Sequence, residues 1–177
     1  MTEITYQMVL STLQTAGLLI GIIYYMSTLR NAQLTRKTQA ARLLSERTQI
    51  SEFAENIFDL WEMEWEDFDD YLRKYDSTVN RDNYLKRAQI FGMYQEAGYM
   101  LKKGIIDIET MYHLGNTQGT LTTWEKFKPV IMGYRERFND PHWYYWFEYL
   151  ANELQKERVR QGLPGQVSDV DGVLTKT

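Results

Sequence analysis

Twenty-six consecutive residues, Ile4 to Leu29, carry no formal charge, and this run limits what the chain can become more than any other feature. As a helix it would measure roughly 39 Å, against a hydrocarbon core of about 30 Å. Two environments accept such a helix: the core of a soluble domain, or a membrane. Gln7 and Gln14 suit the core. Tyr24 and Tyr25 stand near the charged boundary as interfacial aromatics do, and Arg30, Arg36, Lys37 and Arg42 all precede the next acid, Glu46. The membrane span is therefore the expectation. A cleaved signal peptide fits worse, because nothing basic precedes the run and it is longer than a signal core. The positive-inside tendency puts the N-terminus outside and residues 30 onward in the cytoplasm. The expected location is the cell membrane, crossed once, with the four cations at the lipid surface.

The run is not uniformly apolar. At 100° per residue, Gln7, Ser11, Gln14, Gly17, Gly21 and Thr28 fall within an arc of about 120°. Lipid cannot satisfy a glutamine amide, and Gly17-x-x-x-Gly21 permits close backbone approach. This arc is expected to meet another membrane helix, from a second copy or a different integral protein.

Beyond Arg30 the expected architecture is all-α. No glycine or proline occurs from Ile22 to Phe91, so the span (residues 1–29) should continue as a helical stalk (30–52) into a helical cytoplasmic domain (53–161) and a flexible tail (162–177). Phe53, Ile57, Leu60 and Trp61, then Trp65, Phe68, Leu72 and Tyr75, recur at steps of three or four, the stripe of one amphipathic helix or two. Asn80 is placed to cap a helix from about Arg81 to Lys103, with Gly104 as its stop, and Asp107 to start a short one. "HLGNTQGT", residues 113–120, reads as a loop. The following helix should be kinked or divided at Pro129. The last helix should open with Asp140 as N-cap and Pro141 in its first turn, and end before Gly162. Its aromatic run, Trp143, Tyr144, Tyr145, Trp146, Phe147 and Tyr149, should be mostly core, with the remainder available to a partner chain. Trp124 and Phe127 should point inward, Glu125 and Lys126 outward.

Several functions are disfavoured at once. The net charge of -4 and a pI near 5.3 oppose nucleic-acid binding driven by phosphate neutralisation. There is no cysteine, which removes thiolate nucleophiles and zinc-thiolate sites. No nucleophile elbow or glycine-rich phosphate loop is present. Glu109 and His113 are four apart, but an ordinary surface pair is the better reading without a second histidine nearby. Neither a catalytic residue nor a cofactor is expected.

The densest polar feature is "EMEWEDFDD", residues 62–70, with six carboxylates. On a helix Glu62, Glu66 and Asp69 or Asp70 would share a face, yet the Glu-x-x-His companions of a di-iron bundle and the glycine of a calcium loop are missing. A solvated acidic face is expected first, a partner-binding surface second. Residues 30–44 carry +4 and residues 46–76 carry -8, so the basic stalk suits anionic headgroups and the acidic segment is repelled from them.

"MEWEDFDDYLRKY", "LKKGIID", "WEKFKPVI" and "FEYLANEL", in that order behind an N-terminal anchor, resemble a bacterial and archaeal family of unknown function. The likeness covers about residues 55–155. It implies one membrane helix, a stalk and a small helical cytoplasmic domain, and brings no catalytic residues with it. The expected role is a single-pass interaction protein, an accessory or scaffolding subunit of a membrane complex whose partners are lipid and other integral proteins or itself. The alternative is a membrane-tethered enzyme or a sensor of a small ligand or metal, with its pocket near the acidic run.

Overall fold

A computed structural model describes residues 6–48 and 51–165. Residues 1–5, 49 and 50 and, of the expected tail, residues 166–177 lie outside the described residues. Seven helices are present among those described, with no strand: α1 (Tyr6–Thr48), α2 (Ser51–Trp61), α3 (Phe68–Tyr75), α4 (Arg81–Lys102), α5 (Ile108–Leu114), α6 (Thr117–Phe138) and α7 (Tyr145–Arg160). The chain divides into two compact units after Gln39.

The second unit has an aromatic interior. Phe147 on α7 is its hub, with Tyr94 at 4.7 Å, Trp124 at 5.2 Å and Phe91 at 5.5 Å between ring centroids. Such offset and edge-on pairs add to the gain from area burial. Leu60, Ile90, Leu121, Ile131, Leu150 and Leu154 fill the space around them. Helices α4 and α7 approach closely because Gly98 has no side chain: a Cβ there would lie 1.9 Å from the Trp146 carbonyl oxygen. Trp61 ties α2 to α6 by donating its indole N–H to Thr123 Oγ1 at 3.0 Å.

Most helix ends follow the expected cap chemistry. Asn80 and Asp107 accept from the backbone N–H three residues on, and Gly104, with φ 65°, takes the left-handed turn that ends α4. Trp124 and Phe127 are buried.

The departures each have a local cause. The stripe from Phe53 to Tyr75 is split: α2 stops at Trp61 and α3 starts at Phe68, with Asp67 as N-cap accepting from Asp70 N at 2.7 Å. The expected loop 113–120 shrinks to Gly115 and Asn116, because Asn116 Oδ1 caps α6 through Gly119 N at 2.8 Å. Thr120, Thr122 and Thr123 are buried there, and packing overrides their modest helix propensity. Pro129 does not divide α6. It sits on the exposed side, as does Glu125, the residue whose carbonyl it leaves unbonded, while Phe127, Val130 and Ile131 are buried.

Asp140 does not cap α7, which begins four residues after Pro141. Arg135 takes the Trp143 carbonyl at 2.9 Å, Asp140 accepts from His142 N at 2.9 Å, and Tyr144 enters the helix from a left-handed conformation, φ 53°. Of the six aromatics in this segment only Phe147 is fully buried. Trp143 and Tyr145 are exposed, and the other three are half-buried.

Candidate functional site

Two regions contain the expected site residues. The first is α1, which supplies a segment of 38 residues, Tyr6–Leu43, long and apolar enough to cross a membrane, with none of its most apolar window buried by the rest of the chain. Leu, Ile, Met and Tyr side chains stand exposed along it. Gln7, Ser11, Gln14, Gly17, Gly21 and Thr28 lie on this one helix and are exposed. Helical periodicity therefore keeps them within the arc of about 120°. A Cβ at Gly17 or Gly21 would meet nothing within 4 Å, so neither glycine is required by packing inside the chain. Thr28 Oγ1 donates back to the Tyr24 carbonyl at 2.9 Å, which satisfies its hydroxyl without a partner helix. Arg30, Arg36, Lys37 and Arg42 are exposed on the same helix, and Arg42 Nε meets Glu46 Oε1 at 2.6 Å. That pair softens the positive charge nearest the acidic segment.

The second region is the acidic run, and here the geometry changes the residues' roles. Because the chain leaves helix after Trp61, Glu62 and Glu66 lie on the connection, and the single helical face of Glu62, Glu66, Asp69 and Asp70 does not form. Asp70 is buried and works as an internal brace. Its carboxylate accepts from Lys74 at 2.8 Å, Arg73 at 3.2 Å and the Glu66 backbone N–H at 3.1 Å. The Lys74 hydrogen bond, then the backbone N–H, hold its pKa below the ordinary carboxylate value, and Lys74 is raised in return. Asp67 is committed to the cap. Glu62, Glu66 and Asp69 remain on the surface, and Asp69 suits the positive end of the α3 dipole.

The connection also forms one wall of an open cleft of about 540 Å³, lined by Met63, Glu64, Trp65, Glu66, Lys74 and Lys126. Lys126 Nζ sits 5.1 Å from the Trp65 ring centroid, a cation–π contact at the floor. Two carboxylates, Glu64 and Glu66, and two ammonium groups, Lys74 and Lys126, share this lining with Trp65, a composition suited to a zwitterionic or mixed-charge group. Among the described residues no three His, Asp or Glu side chains gather as a metal ion would need. His113 packs edge-on against Tyr112 at 5.2 Å. Periodicity could not reveal the cleft, since it depends on where α2 breaks and on Lys126 from α6.

The profile of a domain of unknown function (DUF4760) matches residues 11–154, from within the apolar stretch of α1 to the last buried leucine of α7. No curated protein and no solved structure matches the chain.

Proposed function

The chain belongs to the DUF4760 family, whose domain has no assigned function, and from that premise we propose a single-pass membrane-anchored interaction protein, an accessory or scaffolding subunit of a membrane complex. The observation that carries this reading is the unburied part of α1, Tyr6 to Gln39: its apolar side chains have no protein cover, and contiguous apolar surface on that scale belongs against lipid or another protein. The cations from Arg30 to Arg42 favour the orientation with residues 40–165 in the cytoplasm. The polar arc of α1 and the exposed Trp143 and Tyr145 offer surfaces for association.

Native purification from membranes tests the proposal. The protein should stay in the membrane fraction through alkaline carbonate and leave with detergent, in stoichiometric company with another integral protein or with itself. Release by carbonate would remove the anchor, and a lone monomer would remove the scaffold. Protease added to sealed spheroplasts should leave residues 40–165 uncut, and digestion from outside would reverse the orientation.

The mixed-charge cleft over Trp65 favours a second reading, a membrane-tethered sensor of a small molecule or an enzyme acting on one. Co-purification of a small molecule with a partnerless chain would select it.

A further inference from the structure

Among the described residues three charged side chains are buried: Asp70, Arg87 and Glu157. Two obey the rule that a buried charge is paired. Asp70 holds Lys74 at 2.8 Å and Glu157 holds Arg160 at 2.7 Å. Arg87, on α4 and 5% exposed, has no carboxylate partner among the described residues. The side chains acting on its charge are tyrosines. Its Cζ lies 5.1 Å from the Tyr71 ring and 5.6 Å from the Tyr84 ring. Its Nη1 reaches the Tyr75 carbonyl only at 3.5 Å, the outer limit of a hydrogen bond. The Tyr134 and Tyr144 side chains lie close to it. Asp76, the nearby acid, acts on Tyr134 and accepts from the Ser77 hydroxyl at 3.0 Å.

Two further features mark this cluster. The Tyr71 hydroxyl is buried and has no hydrogen-bond partner among the described residues. Tyr144 holds a left-handed backbone, φ 53° and ψ 36°, an uncommon conformation for a bulky side chain, and that conformation brings its ring edge-on to Phe91 at 5.1 Å. Strain of this kind clusters at ligand sites. Cation–π contacts offset part of the cost of burying a guanidinium but satisfy none of its five N–H donors.

We propose that Arg87, with the hydroxyls of Tyr84, Tyr134 and Tyr144, forms an oxyanion site that takes the phosphate or carboxylate group of a small molecule entering past Tyr84. A guanidinium presents two parallel N–H groups to two oxygens of such a group, and phenolic hydroxyls donate to the others. Burial pushes the Arg87 pKa down, yet a guanidinium stays protonated at neutral pH, so the positive charge is in place to be neutralised. Tyr84 is 41% exposed, and rotation of this surface side chain, a nanosecond event, opens the cluster. None of the site's four residues lines the cleft over Trp65, although Trp65 packs against Tyr71 and Tyr75 beside Arg87.

The test titrates full-length protein in detergent with inorganic phosphate and, separately, acetate, each against chloride at constant ionic strength. The readouts are the thermal midpoint and intrinsic tryptophan and tyrosine fluorescence. Wild type should respond saturably to at least one anion. A response to phosphate alone assigns a phosphoryl group, and a response to acetate alone assigns a carboxylate. Arg87→Lys keeps the charge and loses the fork, and should weaken binding about tenfold or more. Tyr134→Phe should weaken it several-fold, and Lys128→Gln, on the exposed side of α6, should leave it unchanged. Should Arg87→Lys fail to fold, Tyr134→Phe and Tyr84→Phe decide. The proposal is overturned if wild type shows no saturable response to either anion, or if these variants bind as wild type does.

Discussion

Leu18 and Leu60 are the same side chain in the same secondary structure, yet Leu18 on α1 is 66% exposed and Leu60 on α2 is fully buried. The contrast holds across the two units. In the first, Ile20, Ile22 and Ile23 face outward all round one helix. In the second, apolar positions occupy one stripe of each helix and meet in a shared interior. A stripe needs neighbouring helices from its own chain, because water drives it to close. An apolar surface all round a helix needs a different solvent. Stability of the second unit should therefore reside in packing, whereas the first should be insensitive to single truncations.

Alanine substitutions put the largest effect on that contrast. Trp124→Ala empties a fully buried site beside Phe147 and should cost about 3–5 kcal/mol in denaturant melts. Leu18→Ala should move the same melt by no more than about 0.5 kcal/mol. Equal costs would mean that α1 is packed in a way its exposure does not show. Glycines repeat the contrast within α4. Gly98→Ala drives a methyl group into the Trp146 carbonyl, a loss at or above the upper end of about 1–3 kcal/mol. At Gly92 a Cβ meets nothing within 4 Å, so Gly92→Ala should gain up to about 1 kcal/mol of helix propensity. A loss at Gly92 would mean that the added methyl group meets a neighbour there.

How much of this was legible in the sequence depended on range. The charge-free run, the caps at Asn80 and Asp107, and the stop at Gly104 are local signals, readable because each is decided within a few residues. The break between Trp61 and Phe68 was half-readable: Asp67 caps α3 through Asp70 N, but an acidic run on a helical period hides one cap among six carboxylates. The late start of α7 was not readable, because Pro141 and Asp140 fit a helix start and the reason they do not form one is Arg135, reaching across from α6 to the Trp143 carbonyl. Arg87 was passed over for the same reason. Its tyrosines come from α3, α4, α6 and the turn before α7, and only the tertiary fold shows that no carboxylate among the described residues pairs with it.

Alkaline titration probes the interior's dielectric directly. Burial pushes the Tyr94 hydroxyl up to about 12 from the ordinary 10.0, and the hydroxyl has no hydrogen-bond partner among the described residues. The folded chain therefore keeps a proton that the unfolded chain releases between these values. Stability from this group is complete below pH 10 and is lost as the pH rises through about 12. Tyr94→Phe should flatten this limb, by on the order of 2 kcal/mol at its top. A limb of unchanged slope would show that the hydroxyl is hydrated in the folded state.

The smallest expected effect lies in α1, where the contrast between the units is drawn within one helix. If lipid surrounded α1 evenly, all its faces would be equivalent, and Gln7, Ser11, Gln14, Gly17 and Gly21 would have no reason to share an arc. An amide facing hydrocarbon loses its hydrogen bonds, while a second helix can restore them and approach closely over two glycines, for roughly 0.6–2 kcal/mol per polar contact. Replacing Gly17 and Gly21 with leucine should therefore weaken association of the full chain, measured by energy transfer in bilayers. Leucine at Thr12 and Ile22, outside the arc, should leave it unchanged. The four sites differ in position around one axis while all receiving the same side chain, so a difference between the pairs reports the face and not general helix disruption. Equal association in both pairs would return α1 to a uniform anchor, with any partner of the protein held by residues 40–165 instead.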